Sequence, residues 1–174
     1  MSDHVFNVLF ICTGNSARSI LAESVLNHLG AGRFAAFSAG SQPKGVVNPI
    51  ALRLLQDANL PTDGLRSKSW DEFSKPGSPQ FDFIITVCDN AAGETCPVWP
   101  GHPVTAHWGI ADPAAATGSE ERRMQAFRKA FIELETRIKL FINLPLRALD
   151  RISRKGHLDA IGRGQRADEV ATAS

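Results

Sequence analysis

Eight consecutive residues near the N-terminus, Cys12, Thr13, Gly14, Asn15, Ser16, Ala17, Arg18 and Ser19, combine a nucleophile, a glycine and a guanidinium at fixed spacing. They follow an apolar run from Val5 to Ile11, broken only by Asn7, that reads as a buried parallel strand. After them Leu21, Val25 and Leu29 recur at helical spacing, with Gly30 as a stop. A strand-to-helix turn aims successive backbone N–H groups at one point, and the helix N-terminus adds partial positive charge. Together they make a socket for a tetrahedral oxyanion. Gly14 is expected to let the backbone curl without a Cβ clash. Arg18, six residues after the cysteine, can grip two oxygens of the anion through its planar fork. The same field is expected to ionise Cys12 at neutral pH and to aim its thiolate at the anion's centre. Ser19 is positioned to donate to that thiolate, and Asn15 to hold the loop's shape. The loop lacks the GxxxxGK[ST] spacing of a nucleotide-binding loop, which argues against ATP or GTP. The bland alternative makes Cys12 a small buried hydrophobe and Arg18 a surface charge, and leaves Gly14 and the strand–helix setting as coincidences.

Two further cysteines, Cys88 and Cys96, make the total three. Cys88 ends a second apolar run, FDFIITVC, and Cys96 follows after DNAAGET. A disulfide needs Cα atoms within about 7 Å, whereas eight extended steps span roughly 25 Å or more, so pairing requires the chain to bend back. Gly93 and the adjacent alanines allow that bend. A redox pair on a loop explains the arrangement, as do two unrelated thiols with Cys88 in the core. Zinc is a third reading, because Cys88, Cys96, His102 and His107 fall within a short stretch, but their spacing fits none of the close-paired knuckles.

The elements that must position these groups alternate. Phe34 to Ser38 reads as a strand, and Asn48-Pro49 as N-cap and first-turn proline of a helix with Ile50, Leu54, Leu55 and Ala58 on one face. A short helical turn is expected around Trp70–Phe73 and a short strand within 102–108. Ser119-Glu120-Glu121 opens a long helix presenting Phe127, Phe131, Leu134, Ile138 and Phe141. Alternating strands and helices imply one α/β domain with a mostly parallel sheet. The 174 residues suit a single domain that buries about 70% of its unfolded surface, with no need of a disulfide or metal staple. Nineteen basic against eighteen acidic residues leave a formal charge of +1, which argues against a protein built to hold nucleic acid or a membrane surface. No apolar run approaches the roughly 18 residues of a membrane span, and the acidic N-terminus is unlike a signal peptide, so a cytoplasmic location is expected. After Pro145 the chain is expected to begin a short helix on Leu146, Leu149 and Ile152, then to end in a polar, frayed tail exposed to solvent.

The Cys-x5-Arg-Ser loop, FSAGS at 37–41 and Asp112-Pro113 together resemble the low-molecular-weight protein tyrosine phosphatase superfamily. Within it, VCDNAAGETCPVWPG at 87–101 and HWGIADPA at 107–114 are most similar to the arsenate reductases of three-cysteine type. The resemblance implies a three-layer α/β fold, with a four-stranded parallel sheet flanked by helices, over residues 1–143. It leaves 144–174 as a C-terminal extension. It further implies that Cys12 attacks arsenate, that Asp112 protonates the departing oxygen, and that Cys88 then attacks the sulfur of Cys12 to release arsenite. Cys96 would resolve the Cys12–Cys88 disulfide. No cofactor is implied, only an external thiol reductant: thioredoxin, glutaredoxin with glutathione, or mycothiol. Phosphate and sulfate are expected as competing anions. The alternative is a phosphomonoester hydrolase using Cys12, Arg18 and Asp112 alone. Ala-Ala-Ala-Thr follows Asp112-Pro113 where the phosphatases usually place aromatic residues, and the chain has no tyrosine. A non-enzymatic arsenic or metal binder using the three thiols is the remaining class. Some relatives hold a potassium ion through an Asn, a Glu, a Ser and an Asp. Asn15, Glu23 and Ser38 resemble three of those ligands, but Lys68 takes the place of the Asp, so a fixed ammonium is expected there and no metal.

Overall fold

The computed structural model describes residues 4–88 and 101–164. Four strands, β1 (Phe6–Ile11), β2 (Phe34–Ala39), β3 (Phe83–Thr86) and β4 (Val104–His107), form one parallel sheet in the order β2-β1-β3-β4. Helices α1 (Arg18–Leu29), α2 (Pro49–Asp57), α3 (Glu120–Ile142) and α4 (Arg151–Gly162) complete the expected α/β fold. Among the described residues no helix is long and apolar enough to cross a membrane.

β1 is paired on both edges, and five of its six residues are buried, which is why its sequence reads as a continuous apolar run rather than an alternation. Its register sets Ile11 beside Ala39 on one side and Thr86 on the other. The carboxyl ends of β1 and β3 therefore lie together, where the chain leaves β1 toward β2 on one side and β3 pairs on the other. Open α/β sheets bind ligands at such a switch point. The expected caps form: the Asn48 side chain accepts from the Ile50 N–H at 2.8 Å, and the Ser119 hydroxyl accepts from the Arg122 N–H at 3.1 Å.

On one face Phe34, Phe83 and Trp108 surround Phe141 of α3, with ring centroids 5.1 to 5.9 Å away, and Phe6 packs on Phe34 and Phe83 at 5.7 and 5.9 Å. On the other, Phe37 of β2 packs against Phe73 and Phe81 at 5.8 and 5.5 Å, so the short 3₁₀ turn Trp70–Phe73 covers that side.

The segment after 143 departs from the solvated-tail expectation. α4 starts at Arg151 with the Asp150 carboxylate accepting from the Ser153 N–H, and it packs against β4. Leu158 and Ile161 are buried in the same core as the sheet, while Ile152, expected inside, is 84% exposed. The Trp108 indole N–H donates to the Leu158 carbonyl at 3.0 Å, a bond that sequence periodicity has no means to reveal. Residues 165–174, the expected frayed end, lie outside the described residues. At Gly162 a Cβ would collide with the His107 carbonyl and come within 2.9 Å of the Trp108 ring. Gly162→Ala should therefore destabilise the fold by about 1–3 kcal/mol, as overpacking does. A lowered urea midpoint at unchanged slope would show it, whereas an unchanged midpoint would mean that α4 gives way at no cost.

Candidate active site

β1 ends at Ile11, residues 12–17 turn, and α1 begins at Arg18 with no side-chain cap on its first turn. The uncapped N–H groups and the helix dipole are therefore open toward the loop. The loop's carbonyls are turned outward onto neighbouring chain. Thr13 accepts from the Gln42 N–H at 2.9 Å, Gly14 from the Lys44 N–H at 3.0 Å, and Ser16 from the Asn48 N–H at 2.8 Å. With its acceptors spent on that side, the turn presents donors to its concave side.

The residue that turns the chain is Asn15, at φ 44°, and not Gly14. Asn15 is fully buried. Its Oδ1 accepts from the Lys68 N–H at 2.9 Å, and its amide donates to the Ser19 hydroxyl at 2.8 Å. The expected shape-holding role of Asn15 is therefore direct. Gly14 instead leaves room for a neighbour, since a Cβ there would come 3.3 to 3.6 Å from the Lys44 side chain, which would have to give by a few tenths of an ångström. Gly40 is the glycine the loop requires, because a Cβ there would sit 2.5 Å from the Thr13 carbonyl oxygen. Sequence reasoning gave Gly40 only as part of FSAGS and passed over Gln42 and Lys44.

A cavity of about 250 Å³ opens over the loop, lined by Cys12, Thr13, Gly14, Ser16, Ala17, Arg18, Gln42, Lys44 and Asp112. Asn15 and Ser19 are buried and do not line it. Arg18 spans it. Its Nη1 donates to the Ile110 carbonyl at 2.9 Å, its Nη2 lies 3.8 Å from Asp112 Oδ2, and its buried Nε has no partner. An oxyanion would satisfy that orphaned donor. Asp112 does two things at once. Oδ1 accepts from the Ala114 N–H at 3.0 Å as the cap of the turn Pro113–Ala115, and Oδ2 faces Arg18.

Cys12 and Cys88 are both buried and reduced. The Cys88 sulfur accepts from the Thr13 N–H at 3.3 Å and is hydrogen-bonded to Cys12. Cys88 therefore belongs to the site, and the Thr13 amide is spent on it rather than on the cavity. This contact works against the expected ionisation. The hydrogen bond with Cys88 and burial push the Cys12 thiol far up, against the pull of Arg18 and the Gly14 N–H. A raised value means that thiolate accumulates only as pH climbs through it, so alkylation of Cys12 by iodoacetamide should rise late in pH. Cys88→Ala removes the largest upward influence and should move that profile to lower pH. An unmoved or upshifted profile would mean that Cys88 does not hold the Cys12 proton.

Cys96 lies outside the described residues, as does all of 89–100. His107 bonds Thr86 Oγ1 through Nδ1 at 2.8 Å, and among the described residues no group of three metal-ligating side chains forms.

Residues 7–155 match the family model described as low molecular weight phosphotyrosine protein phosphatase. The chain belongs to that family. The match runs past residue 143 into α4, consistent with the packing of that helix on the sheet. Arsenate reductases of Shouchella clausii and Bacillus licheniformis are 34% and 36% identical over 134 and 135 residues, in each case 77% of this chain and 93% of the relative. The solved arsenate reductase of Archaeoglobus fulgidus superposes with a TM-score of 0.62 at 30% identity, covering 79% of this chain and all but 1% of that one. A low-molecular-weight phosphotyrosine phosphatase from Vibrio cholerae shares the fold at a TM-score of 0.58 and 21% identity, over 75% of this chain and 90% of that one.

Beside the phosphatase-family loop, Glu23, Ser38 and Lys68 form a buried cluster. The Ser38 hydroxyl donates to Glu23 Oε1 at 2.5 Å, and the Lys68 ammonium lies 3.5 Å from Ser38 Oγ and 3.9 Å from Glu23 Oε1. Burial pushes the Glu23 carboxyl up and the Lys68 ammonium down, each opposed by the other's charge. A potassium ion among these oxygens would stand in like-charge contact with that ammonium, so the residues present do not fit one.

Proposed function

We propose that this chain reduces arsenate to arsenite, with Cys12 as nucleophile and Cys88 as the thiol that completes the two-electron transfer. The observation that carries this reading is the buried Cys88 sulfur, which accepts from the Thr13 N–H at 3.3 Å and so stands beside Cys12 at the floor of the loop. Hydrolysis of a phosphoester needs Cys12, Arg18 and Asp112 but no second thiol. Its relatives bearing the arsenate reductase name support the same substrate.

Arsenate, a tetrahedral oxyanion of phosphate's shape, seats against the loop amides and the unpartnered Arg18 Nε. Cys12 passes its proton to an oxygen of the incoming dianion and attacks arsenic as thiolate. Asp112 protonates the departing oxygen, which leaves as water. Cys88 then attacks the sulfur of Cys12. The sulfur–arsenic electron pair stays on arsenic, which falls from As(V) to As(III) and departs as arsenite, and a Cys12–Cys88 disulfide remains. Cys96 attacks Cys88, frees Cys12, and leaves a Cys88–Cys96 disulfide for an external thiol to reduce. We place the reaction in the cytoplasm, where thiol carriers are kept reduced.

The test is arsenate-dependent oxidation of thioredoxin, of glutaredoxin with glutathione, and of mycothiol, each recycled by its own reductase. At least one should turn over with arsenate and stop in Cys12→Ser. Turnover of para-nitrophenyl phosphate with no arsenate-dependent oxidation of any donor would make the chain a hydrolase instead.

A further inference from the structure

We infer that Lys44 is the second cation of the anion pocket, a substrate-affinity residue that supplies the second positive charge a dianion calls for. The inference rests on the oxyanion reading of the pocket proposed above. Arg18 alone does not supply the charge. It lies 3.8 Å from the Asp112 carboxylate, and its Nη1 is committed to the Ile110 carbonyl. With the guanidinium shared between these two neighbours, a doubly charged oxyanion entering the cavity would find its second charge unmatched by Arg18. Lys44 is the other cationic side chain lining that cavity, and among the described residues no carboxylate lies within ion-pair distance of it.

Its placement is built rather than incidental. The Lys44 N–H donates to the Gly14 carbonyl at 3.0 Å, which ties the backbone of 44 to the loop. Its Cγ, Cδ and Cε run over Gly14, where any side chain would meet them at 3.3 to 3.6 Å. The stem therefore fills the space that Gly14 vacates and is held along the loop, although the residue is exposed. A long side chain held along a surface in this way loses less rotamer freedom when its head group binds. Lys44 also lines the cavity, so its ammonium is within reach of an oxyanion bound there.

The charge and the packing of Lys44 are separable, because Lys44→Met keeps the stem and removes the ammonium, whereas Lys44→Arg keeps both. The readouts are protection of Cys12 from iodoacetamide by inorganic phosphate, and KM against kcat for arsenate. Lys139→Gln on the distant α3 surface removes the same unit of net charge elsewhere. Lys44→Met should weaken phosphate protection about tenfold and raise KM for arsenate far more than it lowers kcat. Lys44→Arg should stay within about threefold of the parent on both readouts, and Lys139→Gln should match the parent. The loss in Lys44→Met should shrink as salt rises from 20 to roughly 500 mM, since an exposed charge is screened. Lys44→Met with parental protection and KM would overturn the inference, as would an equal loss in Lys139→Gln. Absence of phosphate protection in the parent chain would instead overturn the oxyanion reading itself.

Discussion

Cys88→Ser is expected to abolish multiple-turnover arsenate reduction while leaving slow hydrolysis of para-nitrophenyl phosphate in place. Both chemistries begin with Cys12 and a bound oxyanion, so Cys12→Ser should remove either one. Only reduction takes two electrons from thiols. The Cys88 sulfur, hydrogen-bonded to Cys12 and held by the Thr13 N–H, is the group positioned to take the arsenic adduct apart. A serine there fills similar space but forms no bond to sulfur, so the adduct waits for an outside thiol. Water still cleaves a thiophosphate on Cys12. Cys96→Ser separates the next step. A single round should release arsenite and stop at a Cys12–Cys88 disulfide, seen in mass spectra as a loss of two hydrogens and a peptide joining the two cysteines. If both variants keep full turnover, the relay is wrong, and a donor thiol must attack the Cys12 adduct directly.

Arg18→Lys should lower kcat/KM for arsenate by roughly 10²-fold or more, equivalent to about 2.7 kcal/mol of transition-state stabilisation. The substitution keeps the charge, so an effect of this size isolates geometry. Arg18 reaches the Ile110 carbonyl through Nη1 and the Asp112 carboxylate through Nη2 while its Nε stays unpartnered for the anion. One ammonium does not serve three directions at once. The loss should appear in both arsenate reduction and phosphoester hydrolysis, because both build charge on the same oxygens. A near-parental rate would reduce Arg18 to a surface charge, at odds with its 14% side-chain exposure.

The nucleophile, the guanidinium and the turn between them were legible from the sequence because they lie within eight residues on one local element. An apolar run, a short polar loop and a 3.6-residue repeat already fix a strand, a turn and a helix in order, and the helix N-terminus supplies its field wherever the rest of the chain goes. The parallel sheet followed from the same alternation, and the caps at Asn48 and Ser119 from contacts within three residues. The tertiary structure decided everything that depends on residues far apart in sequence. Cys88 is 76 positions from Cys12, and only the parallel register of β1 with β3 brings the two thiols together and sets Cys88 against the expected ionisation of Cys12. Gly14 looked like a hinge because glycine permits one, but Asn15 takes the left-handed turn, anchored by the distant Lys68 N–H, and Gly14 yields its space to Lys44. The polar tail had too weak a repeat to show which side of α4 is buried. That was set by the exposed edge of β4 and a single indole N–H on Trp108. Local periodicity encodes which element forms, whereas charge, proton and packing at a site are sums over neighbours that only the folded chain assembles.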